Sequence, residues 1–119
     1  RTKSSAASDV YKRQTLDSFC EMIARTSDIM NIKNIGIGSD LCLNQPDEIV
    51  EWMRNGTWSK NKNYGEGSKN KPGFPRQPDW FEDARGFFNI EKGLRKVGFS
   101  EEETNGILGN NWYNFYKNI

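Results

Sequence analysis

The chain has no histidine, only two cysteines, little aliphatic material and no long apolar run. Each absence excludes something. Without histidine, neither a Ser-His-Asp nor a Cys-His catalytic arrangement can be built within these 119 residues. The commonest zinc ligand is missing too. Cys20 and Cys42 do not make a disulfide framework, and their spacing does not suit a zinc ribbon. That usage fits a reducing compartment such as the cytoplasm. No stretch is long and apolar enough for a transmembrane segment. The formal net charge is only +1, so no charge excess points to nucleic acid or to a lipid surface.

Hydrophobic residues make up 34% of the chain, below the ~45–50% of ordinary globular domains. Four Trp, four Tyr and seven Phe nevertheless argue against disorder, since each ring buries a large apolar area. A chain rich in rings and poor in aliphatics reads as a piece that packs against a larger partner.

Residues 4–14, Ser4 to Gln14, have no hydrophobic period and no signal-peptide core. They resemble a translated sequencing adapter and are set aside as a non-native extension over 1–14. The natural chain is expected to begin near Thr15, with upstream residues missing. Setting 1–14 aside removes four basic residues and one acidic residue and leaves a net charge of −2.

Leu16, Phe19, Cys20, Ile23 and Ala24 recur at helical spacing, with Thr15 placed as N-cap and Asp17 in the first turn. This predicts a helix from Asp17 to Met30, with Cys20 a small core residue. Ile35 to Gly38 is apolar or glycine throughout, which predicts a strand buried on both faces, as in a parallel sheet. Helix followed by strand is an α/β unit. A short helix over Glu48 to Arg54 follows, with Asp47 before it as a cap. Thr57 to Asp79 is rich in Gly, Pro, Lys and Asn and reads as a long loop. Trp58, Tyr64, Phe74 and Trp80 are expected to pin that loop to the body, or else to form a lid. Phe87 to Val97 is helical by pattern, closed by Gly98. Ser100-x-x-Glu103 is a capping box opening a last helix to Lys117.

Gly36-Ile37-Gly38 lacks the third glycine of a dinucleotide loop, because position 41 is leucine. Asp40 is the one residue singled out for chemistry. It closes the expected strand where the chain turns outward, the position at which barrel enzymes carry catalytic groups. Position alone also suits a turn-forming aspartate.

Ile35-Gly36-Ile37-Gly38-Ser39-Asp40 resembles the V-G-I-G-S-D segment of the membrane (renal-type) dipeptidases. Gly98-Phe99-Ser100-Glu101-Glu102-Glu103, with Ile107-Leu108-Gly109-Asn110-Asn111-Trp112 and Phe115, is similar to that family's G-[FYW]-S-E-E-E…[IL]-L-G-G-N-[LW]…F. Asn89-Ile90-Glu91-Lys92-Gly93-Leu94 resembles its N-L-x-x-x-L helix. The resemblance spans Leu16 to Lys117, and its motifs fall in the family's order. The family's second acidic residue, in S-D-F-D-G, is absent here, where Leu41-Cys42-Leu43 follows Asp40.

The resemblance implies an α/β fold, with residues 15–119 the C-terminal part of a (β/α)8 metal-dependent hydrolase barrel. It implies a parent enzyme that hydrolyses dipeptides with two zinc ions whose ligands lie upstream of this chain. It maps a proton-transferring catalytic aspartate onto Asp40. The fragment alone is then expected to be inactive. Two other readings remain open: another metal-dependent barrel amidohydrolase of deacetylase or lactonase type, or a non-catalytic binding domain that uses the aromatic loop. Oligomeric state is not legible.

Overall fold

The computed structural model of the chain describes residues 14–46, 48–49 and 77–119. The chain divides into two compact units, Arg13–Asp40 with Pro78–Ile119, and Arg1–Lys12 with Leu41–Gln77. The adapter-like residues 4–13, the cap at Asp47 and the rings of Trp58, Tyr64 and Phe74 lie outside the described residues. Of the short helix expected over Glu48 to Arg54, only Glu48 and Ile49 are described, and both are helical.

The first of these units is helical. Helix α1 is Leu16–Ile29. Thr15 caps it reciprocally with Ser18, the hydroxyl of each accepting from the other's backbone N–H. Cys20 and Ile23 are buried on its inner face. Helix α2 is Phe87–Lys96, and its buried stripe is Ile90, Gly93 and Leu94. The two stripes pack against each other. Leu94 and Cys20 are fully buried at 0% exposure. Rings extend this core at one end: Phe19 lies 5.1 Å from Trp80, and Phe81 lies 5.0 Å from Phe87 edge-on. The Trp80 indole N–H donates to the Gln14 carbonyl at 3.0 Å. An exposed Lys96–Asp17 ion pair at 3.1 Å links α2 back to the start of α1.

Helix α2 ends as the sequence predicts. Gly98 takes φ +109, a conformation costly to any residue with a Cβ. Its N–H donates to Arg95 and that of Phe99 donates to Leu94, the paired bonds of a Schellman motif. Ser100 and Glu103 then form the predicted capping box and open α3, Glu101–Asn105. The last helix is not uniform. After α3 the chain passes through a π-helical segment, Gly106–Asn110, and only then into α4, Asn111–Lys117. Ile107, within the π segment, is buried at 0% exposure beside Thr104 at 1%. Helix α4 buries nothing, and Tyr113, Phe115 and Tyr116 are all exposed.

The expected α/β fold is overturned. Among the described residues there is no strand and no sheet, and the predicted last strand of a (β/α)8 barrel at Ile35–Gly38 is not one. After a 3-10 turn at Ile32–Asn34 the backbone is extended at Ile35, with φ −101 and ψ 128, and it forms no ladder. Backbone carbonyls need partners. Here side chains supply them: Asn111 takes the carbonyls of Ile32 and Ile35, and Trp112 takes that of Ile37. Burial is also one-sided. Ile35 is buried, Ile37 half-buried, and Gly36 and Gly38 exposed. A run of apolar letters with two glycines has too few side chains to fill two faces of a sheet.

Candidate functional site

The sequence singles out Asp40, and the structure sets it at the end of a tethered run. The tether begins at Asn31, whose side chain accepts from the Lys33 N–H and caps the 3-10 turn. The Asn111 amide donates to the Ile32 carbonyl at 2.9 Å and to the Ile35 carbonyl at 2.8 Å. The Trp112 indole N–H donates to the Ile37 carbonyl at 3.1 Å. The indole also sits close to the backbone at Gly36, where a Cβ would stand 2.5 Å from Nε1. A side chain at 36 would have to displace the Trp112 ring. No such contact surrounds Gly38, where a Cβ would meet nothing within 4 Å.

Asp40 is exposed and takes φ +48. The left-handed region is disfavoured for residues with a Cβ, and aspartate and asparagine are the types that enter it most readily. Asn44, in the other unit, has φ +58. Non-glycine residues in this region cost of order 1–3 kcal/mol where the backbone is truly strained, and such residues cluster at functional sites.

A groove of about 670 Å³ opens between the 33–36 backbone and α4. Lys33, Asn34, Ile35, Gly36, Trp112 and Phe115 are among the residues that line it, and Asp40 is not. Trp112 stacks on Tyr116 at 5.8 Å and meets Phe115 edge-on at 6.3 Å, so the groove has an aromatic wall.

Cys20 and Asp83 have local roles. Burial, then the negative charge of Asp17, pushes the Cys20 thiol up to about 11. A thiol so held is neutral and unreactive at neutral pH. Hydrogen bonds from Arg85 hold the Asp83 carboxyl down at about 2. Ser100 is a helix cap, as the sequence predicts. Cys42 is exposed and free. Among the described residues, no group of three or more His, Cys, Asp or Glu side chains is placed to hold a metal ion. None of the helices they form is long and apolar enough to cross a membrane.

Sequence reasoning quoted Asn111 and Trp112 as parts of a motif and did not see them as donors. The signal was present in part. Asparagine is a poor interior helix residue, and one placed mid-helix is a candidate for bonding to a backbone group. Which carbonyls it reaches, 76 and 79 residues away, is not local information.

No family model matches the chain, and neither a curated protein nor a solved structure matches it.

Proposed function

We propose that the chain is part of a metal-dependent, dipeptidase-like hydrolase in which Asp40 moves protons during cleavage of a dipeptide. One observation carries the reading. Two of the three segments that bear the resemblance, Ile35 to Asp40 and Gly98 to Phe115, touch each other through Asn111 and Trp112, 75 or more residues further along the chain. Asp40 fits the role chemically. Its carboxylate is exposed, and it follows a backbone run that is held by three side-chain hydrogen bonds.

The described residues do not fit a binuclear zinc site, since they bring no donor cluster together and the chain has no histidine. Zinc ligands in this reading belong to the rest of the enzyme. No metal step is assigned to the residues described, and Asp40 is confined to accepting and returning a proton.

The test is Asp40→Asn in the enzyme that contains this chain. Asparagine keeps the side-chain size and the tolerance of positive φ, so the turn survives and only proton transfer is lost. Turnover should fall by at least ~100-fold with metal content unchanged, because acid–base groups typically contribute ~10²–10⁴. Unchanged turnover would remove Asp40 from the chemistry. A second reading has its own support: Asp40 and Asn44 are both left-handed, and both are of turn-forming type. On that reading Asp40 shapes a loop in a non-catalytic domain.

A further inference from the structure

We propose that Asn111 and Trp112 are positioning residues, which hold the backbone of residues 32–37 and thereby fix where the Asp40 carboxylate stands. The proposal deepens the reading of Asp40 as a proton-transfer residue and rests on it only for its kinetic consequence.

Two adjacent side chains supply three donors to one short stretch of backbone. The Asn111 Nδ2 group donates to the Ile32 and Ile35 carbonyls, which fills its two N–H donors. Trp112 Nε1 donates to the Ile37 carbonyl, and the indole presses on Gly36. Ile35, buried at 7% exposure, anchors the stretch in the core. Beyond Ile37, Gly38, Ser39 and Asp40 are all exposed. The Ile37 carbonyl is the last of the three that these side chains hold before Asp40. Asp40 lies three residues beyond that carbonyl, within about 10 Å of chain, so the clamp sets the point from which the Asp40 segment departs.

The π segment serves the same placement. The Asn111 N–H bonds back to the Gly106 carbonyl, five residues earlier, in place of the usual four. One extra residue in a helix turns everything after it by about 100°. That turn aims Asn111 and Trp112 at the 32–37 backbone while Ile107 stays in the core.

The experiment uses the 119-residue chain with isotope labels and two variants. Trp112→Phe keeps a ring and removes one donor. Asn111→Asp keeps the shape and removes both amide donors. The readout is the intraresidue Hα–HN Overhauser effect of Asp40, which is strong only at positive φ, with the exchange of the Ile90 and Leu94 amides as control. The expected result is a strong effect in the parent chain that falls in both variants to the level of ordinary extended residues, while the Ile90 and Leu94 amides stay protected. An unchanged Asp40 signal, with the amides around Ile37 visibly shifted, would overturn the proposal, because Asp40 would then hold its own turn. If Asn111→Asp loses its amide dispersion, Trp112→Phe decides alone. In the enzyme containing the chain, Trp112→Phe should lower kcat about tenfold and leave KM unaltered. If Asp40→Asn proves fully active, the kinetic effect vanishes while the spectroscopic one remains, which separates failure of the catalytic reading from failure of this proposal.

Discussion

The α1–α2 pair and the 32–37 run beside α4 are fastened by different physics. The pair is held by apolar burial: Cys20, Ile23, Ile90 and Leu94 are all at or below 5% exposure. Thr15 closes the start of α1 and the Gly98 turn closes the end of α2. The run buries only Ile35 and depends on three donor bonds from two side chains. Dispersion spreads over dozens of atom pairs and fails gradually. A clamp of three bonds fails at once and locally. The candidate chemistry sits on the clamp side, which is where proteins place segments of low local stability.

The largest effect expected from breaking this contrast is in the pair. Leu94→Ala should cost about 2–5 kcal/mol, since it deletes a fully buried side chain and leaves a cavity. Denaturant unfolding should show a lower midpoint at unchanged slope. A loss below about 1 kcal/mol would mean that the pair does not dominate stability, and the comparison would fail there.

A smaller effect sharpens the other side. Asn111→Ala leaves the carbonyls of Ile32 and Ile35 without their donor and should cost about 1–3 kcal/mol. The loss should be local. Hydrogen exchange should quicken over residues 35–40 and stay slow at Ile90 and Leu94. Equal quickening at both places would show that clamp and core unfold as one, erasing the distinction.

The same contrast explains what the sequence discloses. Helix α1, its Thr15 cap, α2, the Gly98 closure and the Ser100 box all follow local rules, in which residues three or four apart set the outcome. The expected ends of α1 and α2 differ from the observed ones by a single residue. The strand expected at Ile35–Gly38 failed because an apolar run does not say what will accept or donate along its backbone. Its carbonyls went to Asn111 and Trp112, a choice made in three dimensions. The π segment is equally silent, for Gly106 to Asn110 carries no pattern that distinguishes it from the α-helix expected over Glu101 to Lys117. Asp40 is legible as a residue type at a chain reversal. Its left-handed backbone and the clamp behind it are not.

The smallest effect is invisible at neutral pH and separates the two regions by titration. Cys20 belongs to the pair: its Sγ would stand 2.6 Å from a Cβ at Gly93, so the thiol rests on the backbone of α2. Burial, then Asp17 one turn earlier on the same helix, raises its pKa from the ordinary 9.0 to about 11. The thiol is neutral when protonated, so the fold favours the protonated form. In the unfolded chain the group ionises near its ordinary value. Stability owed to the neutral thiol is therefore fully present below about pH 9 and lost as pH rises through about 11. Cys20→Ala should flatten the decline of stability across that window. Exchange over residues 35–40 should follow the same alkaline profile only where global unfolding limits it. If the clamp loosens before α1 and α2 do, the bonds of Asn111 and Trp112 are a separate cooperative element. If the two loosen together even with Cys20 replaced, the run owes its order to the core beneath Ile35 more than to the side chains above it.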